Sequence, residues 1–178
     1  MNYDSIRRDE FERVAMPHTG SLLRAALRIV RENSAAEDLV QDTLLRAWRA
    51  FDQFERGTNC KAWLFRIMLN LRNKTQRMAS ARALVLPFDE ESVSVISLQS
   101  KPSQVTALEV FSALDSLSEE HRLVLVLAVI EGFTCKEIAH ICSLPIGTVM
   151  SRLSRARAEL RKTLIHRERD EPSTLNAC

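Results

Sequence analysis

Residues 134–162, TCKEIAHICSLPIGTVMSRLSRARAELRK, constrain this chain more than any other stretch. Thr134 and Glu137 have the spacing of a capping box, so a helix should start there. Ile138, Ala139 and Cys142 give that helix one apolar face. Ser143-Leu144-Pro145 breaks it, and Pro145 suits the start of a following helix, where a missing N–H costs little. Val149, Leu153, Ala156, Leu160 and Leu164 then recur at helical spacing. The opposite side carries Thr148, Ser151, Arg152, Ser154, Arg155 and Arg157. Small Ala139 permits close helix approach. The pattern predicts a helix-turn-helix whose second helix enters a DNA major groove. Short polar side chains near its start can reach base edges, and arginines bind phosphate or guanine.

The rest of the chain must be compatible with that module. Only 4 Gly and 5 Pro occur in 178 residues, which favours long helices, and 46% hydrophobic content is ordinary for a packed protein. A net charge of +2 requires a DNA binder to segregate its charge. No apolar run reaches bilayer length and MNYDSIRRDEFER is no signal peptide, so a cytoplasmic protein without membrane insertion is expected. Cys60, Cys135, Cys142 and Cys178 form no CxxC pair, so reduced thiols and no metal site or cofactor are expected.

Helical periodicity organises the first half. Phe11, Val14, Leu22, Leu23, Ala26, Leu27 and Val30 predict helices interrupted near Pro17. Ser34 and Glu37 have capping-box spacing for a helix running to about Phe51, with Val40, Leu44, Ala47 and Trp48 inward. Gly57 suits a left-handed turn in the loop 52–59. Asn59 is a plausible cap for a helix 61–78, buried through Trp63, Leu64, Ile67, Met68 and Leu71. Residues 81–102 lose periodicity, and Val93 to Leu98 would make a strand without a partner, so the stretch reads as a flexible linker. Helix resumes near Ser103 with Leu108, Phe111, Leu114 and Leu117 on one face. Ser118 caps the next helix and Gly132 ends it. The expected architecture is all-α: two small helical domains, 1–80 and 103–167, joined by the linker 81–102 and followed by a tail 168–178.

Two stripes in the first domain call for a function. Asp38, Gln41, Asp42 and Leu45 form an acidic strip ending in an exposed leucine, suited to a basic partner helix with an apolar groove. Arg66, Asn70, Asn73 and Arg77, with Lys74 alongside, share a face of the following helix. Asparagine is a poor helix former, so two on one face indicate base and phosphate contacts. Trp63 reads as core, although Trp63 and Phe65 are also placed to stack on unpaired bases.

With these stripes in place, the chain resembles the extracytoplasmic-function sigma factors of the bacterial sigma-70 family. AEDLVQDTLLRAWRAF is similar to the core-polymerase-binding segment, NCKAWLFRIMLNLRNKTQR to the segment that melts and reads the −10 element, and residues 117–162 to the −35-binding domain. The resemblance implies that Asp38, Gln41, Asp42 and Leu45 face the polymerase clamp helices. It implies that the loop from Phe54 to Asn59 helps hold an extruded base, and that Arg66, Asn70, Asn73, Lys74 and Arg77 contact the −10 strand. Thr148, Met150, Ser151, Ser154 and Arg155 would face −35 DNA, with Arg152 and Arg157 on phosphate or supporting the fold. Asp89-Glu90-Glu91 would imitate RNA charge in the exit channel. Implied partners are core RNA polymerase, promoter DNA and an anti-sigma protein, with no catalysis. Relatives commonly carry Lys or Arg where this chain has Met150. A stand-alone helix-turn-helix regulator would leave the acidic strip unexplained. A decoy for an anti-sigma would not need the basic faces.

Overall fold

The computed structural model describes residues 3–83 and 112–170, and every regular element among them is helical. Residues 81–83 of the expected linker are helical; the rest of it, with its acidic triplet, Leu108, Phe111 and the tail beyond 170, lies outside the described residues.

The first body contains α1 (Tyr3–Val14), a 3₁₀ turn (Met16–His18), α2 (Thr19–Val30), α3 (Asn33–Arg49), a second 3₁₀ turn (Phe51–Gln53) and α4 (Cys60–Ala83). Pro17 sits in the first turn, as its missing N–H allows. Leu22, Ala25, Ala26 and Ile29 of α2 pack on Ala36, Val40 and Ala47 of α3, and Leu64 and Met68 of α4 complete the core. The many buried alanines let these helices approach closely. A run of aromatic contacts closes the far end: Phe11 meets Phe51 edge-on at 5.1 Å, Phe51 stacks on Phe54 at 6.0 Å, and Phe54 reaches Trp63 at 5.0 Å. Arg7 ties α1 down from outside, its Nη2 donating to Trp48 O (2.7 Å) and its Nε pairing with Asp52 (3.0 Å).

The start of α3 corrects the expected Ser34–Glu37 box. Arg31 adopts φ 69°, which ends α2 and leaves Glu32 extended at the cap. Its carboxylate accepts from Ser34 N (2.8 Å) and Ala35 N (2.6 Å). The bond from the Ser34 hydroxyl, then these N–H bonds, hold the Glu32 carboxyl below its ordinary value. An anion at a helix N-terminus is favourable, so Glu32 takes the role that spacing alone gave Ser34. Helix α4 is also longer than the expected 61–78. Asn59 does cap it, with Oδ1 accepting from Ala62 N at 3.1 Å.

The second body begins with a helical turn at 112–115 and continues through α5 (Glu119–Leu125), which widens into a π turn (Val126–Ile130). Then come α6 (Cys135–Cys142) and α7 (Ile146–Asp170). Ser118 caps α5, and Thr134 with Glu137 forms the full capping box on α6. Ser143, at φ 54°, makes the tight turn between α6 and α7. Val124, Leu127, Ile138, Ile141, Val149, Leu153 and Ala156 form the core. The apolar run from Leu123 to Ile130 has no polar face to turn outward, and Val129 is left 63% exposed.

The two bodies pack together. Helix α6 lies along α4, and α2 touches α5 and the π turn. Phe65 of α4 meets Phe133 edge-on at 5.1 Å, and Lys61 Nζ sits 2.8 Å from both the backbone oxygen and Oε2 of Glu131.

Candidate nucleic-acid and protein interfaces

The acidic strip on α3 stands as expected. Asp38, Gln41 and Asp42 are exposed, and Leu45 is 48% exposed. Neither aspartate has an ion-pair partner among the described residues. Asp38 and Asp42 border a groove of about 630 Å³ that runs between α3, α4 and α5, floored by Ile29, Leu39 and Leu71. On its opposite wall Arg72 pairs with Glu119, to which Gln76 also donates (2.9 Å).

The stripe on α4 divides into two parts. Asn70, Asn73, Lys74 and Arg77 are exposed and surround a shallow depression of about 340 Å³. Their amide and cationic groups face solvent together, as contacts to bases and backbone require. Asn59 and Arg66 instead engage the second body. Asn59 Nδ2 donates to Glu137 Oε1 (2.8 Å), and Arg66 Nη1 donates to His140 Nε2 (3.0 Å). Guanidinium can only donate, so this second contact requires an unprotonated Nε2.

The aromatics need one correction. Trp63 is half-buried against Phe54, but Phe65 is fully buried between the two bodies. In this arrangement Phe65 cannot stack on a base. Its role is packing, against Phe133 of the second body.

Helix α7 presents the second face. Val149, Leu153 and Ala156 are buried, while Met150, Ser151, Ser154, Arg155 and Arg157 are exposed. Thr148 and Arg152 are half-buried, and Arg152 Nη2 pairs with Glu120 at 2.7 Å, which ties α7 to α5. Arg152 thus stabilises the module that aims the other side chains. Glu137 links the two faces. Its carboxylate accepts from Thr134 N (2.9 Å), from the Thr134 hydroxyl (2.8 Å) and from Asn59. The Thr134 bonds, aided by Asn59, hold its carboxyl below the ordinary value.

Lys61, Glu131, Glu137 and His140 had no sequence signal as an inter-body set, since their contacts join positions 70 to 78 residues apart. Burial pushes the Cys60 and Cys142 thiols up to about 11, which makes them unreactive packing groups at neutral pH. No group of three or more His, Cys, Asp or Glu side chains suited to a metal occurs among the described residues, and no described helix is long and apolar enough to cross a membrane.

Comparison with known proteins agrees with this layout. Residues 15–80 match sigma-70 region 2 and residues 107–160 match sigma-70 region 4. The chain is 36% identical over 160 residues to the ECF RNA polymerase sigma factor EcfG of Rhodopseudomonas palustris, covering 88% of this chain and 83% of that one. It is 36% identical over 152 residues to the ECF RNA polymerase sigma factor SigL of Mycobacterium tuberculosis, covering 83% and 84%. The sigma factor RpoE of Bartonella quintana, solved in complex with the anti-sigma factor NepR, superposes with a TM-score of 0.74 at 34% identity, covering 87% and 96%.

Proposed function

Because this chain belongs to the extracytoplasmic-function RNA polymerase sigma factors of the sigma-70 family, we propose that its three exposed faces divide the work of promoter-specific initiation. The protein binds core RNA polymerase and directs it to promoter DNA. Asp38, Gln41, Asp42 and Leu45 of α3 dock on the polymerase. Asn59 at the cap of α4, with Arg66, Asn70, Asn73, Lys74 and Arg77 along it, takes the −10 strand. Thr148, Met150, Ser151, Ser154, Arg155 and Arg157 of α7 take the −35 duplex, with Arg152 bracing the helix. Residues 1–80 and 103–167 act as the two domains, in the cytoplasm. No chemistry is performed on the DNA: capture of unstacked bases costs a few kcal/mol and is offset by contacts in the pocket.

The observation that carries this reading is the separation of the faces. An acidic strip whose aspartates have no ion-pair partner among the described residues, an amide-and-cation stripe and an arginine-bearing recognition helix stand on three different helices. A stand-alone regulator would use only the last.

The closed packing adds a condition. Asn59 and Arg66 are held by α6, so full engagement of the −10 strand requires the bodies to part. An anti-sigma protein that stabilises the closed form, or occupies the exposed faces, would keep the factor silent. The Bartonella relative was solved in complex with an anti-sigma factor, NepR.

Run-off transcription with purified core polymerase on a promoter library tests the assignment. The wild-type chain should select paired −35 and −10 elements. The double variant Asp38→Arg/Asp42→Arg should lose transcription while its second domain still binds −35 DNA. Unchanged transcription by that variant would refute the α3 assignment.

A further inference from the structure

Among the exposed groups of α7 that the resemblance sets against DNA, Met150 cannot form a strong hydrogen bond. Met150 is 57% exposed, although a methionine in water adds nothing to the core. Ser154, Arg157 and Arg161 follow it at i+4, i+7 and i+11, so all four lie along one stripe of the helix. With Cys135 and Leu153 they surround a shallow depression of about 420 Å³, apolar at its floor and rimmed by the two arginines. Ser151 and Arg155 form the adjacent stripe, so Met150 sits among groups suited to base edges and phosphates.

The chemistry of the major groove selects what Met150 can face. Guanine, adenine and cytosine present hydrogen-bonding groups there, whereas thymine adds an apolar methyl. The methionine sulfur is at best a weak acceptor. Set against a polar edge, the side chain would strip water from groups and leave them unpaired. Set against a thymine methyl, it removes two apolar surfaces from water at once. Its three rotatable bonds let it find that contact from a range of docking angles.

We infer that Met150 is a specificity-determining residue that reads the 5-methyl group of one thymine in the −35 element. Arg157 and Arg161 hold the flanking phosphates and so fix which base pair the methionine meets.

The inference rests on the assignment of α7 to the −35 duplex, and the experiment separates the two. Holoenzyme made from the full chain first selects its −35 sequence from randomised promoters. Each selected thymine is then replaced singly by deoxyuridine, which removes only the methyl. At one position the substitution should weaken wild-type binding about fourfold, the effect of one methyl group returned to water. Met150→Ala, an exposed change favourable to helix, should bind more weakly and show no response to deoxyuridine there. Met150→Leu should retain the response. Three results overturn the inference: no thymine in the selected element, no response at any thymine, or a response that persists in Met150→Ala. If no −35 preference is selected at all, the assignment of α7 fails, and this inference with it.

Discussion

Replacing Lys61 by methionine should open the molecule rather than unfold it. The Glu131 side chain is 1% exposed, and the Lys61 ammonium lies 2.8 Å from its Oε2. The same ammonium sits 5.1 Å from the Phe133 ring centroid and 5.8 Å from that of Phe65. Methionine keeps the stem packed on these rings but leaves the carboxylate buried without its counter-charge. Breaking a fully buried pair costs ~3–5 kcal/mol. Lys61 is 23% exposed, so water already screens the pair. A cost of about 2 kcal/mol is therefore reasonable. Because the partners lie on different bodies, separation lets Glu131 rehydrate, and the cost falls on closure. That shifts the closed-to-open ratio about 30-fold. Small-angle scattering of the free protein should show a larger radius of gyration, with a melting temperature changed by less than about 2 °C. The double variant Lys61→Met/Glu131→Leu should close again, since an apolar pair replaces the lone carboxylate. An unchanged radius with a melting temperature about 4–8 °C lower would refute the reasoning, because the cost would then have fallen on the fold.

Other consequences are equally direct. Thr134→Ala removes half of the α6 capping box and should destabilise the second body by about 1 kcal/mol in thermal denaturation. The depressed Glu137 carboxyl stabilises the folded state above its ordinary value of 4.5 and loses that contribution as the pH falls through its lower folded value. Acid titration of stability should therefore be steeper for wild type than for Glu137→Gln below about pH 4.5. Alkylation at pH 7.5, read by mass spectrometry, should modify Cys135 before Cys60 or Cys142, whose thiols burial has pushed up to about 11.

What the sequence makes legible is mostly local. Thr134 and Glu137 lie within one turn, so a capping box read from spacing is the one that forms. The buried face of α7 follows directly from its 3.6-residue period. The same kind of spacing misleads at Ser34 and Glu37, because left-handed Arg31 places Glu32 where it reaches the free N–H groups first. Phe65 misleads for a different reason. Phe133, 68 positions away in the other body, packs edge-on against its ring, a contact that local spacing does not encode. The closure of the two bodies depends on contacts such as Asn59 to Glu137 and Arg66 to His140, which no periodicity encodes. The strip on α3 was legible because exposed carboxylates at i and i+4 require no tertiary information.

Site-specific photocrosslinking in the assembled initiation complex tests the division of labour most directly. A crosslinkable side chain at Asn73 should capture the non-template strand within the −10 element, and one at Ser154 should capture the −35 duplex on the same DNA molecule. Capture of one element from both positions, or of polymerase alone from either, would contradict it.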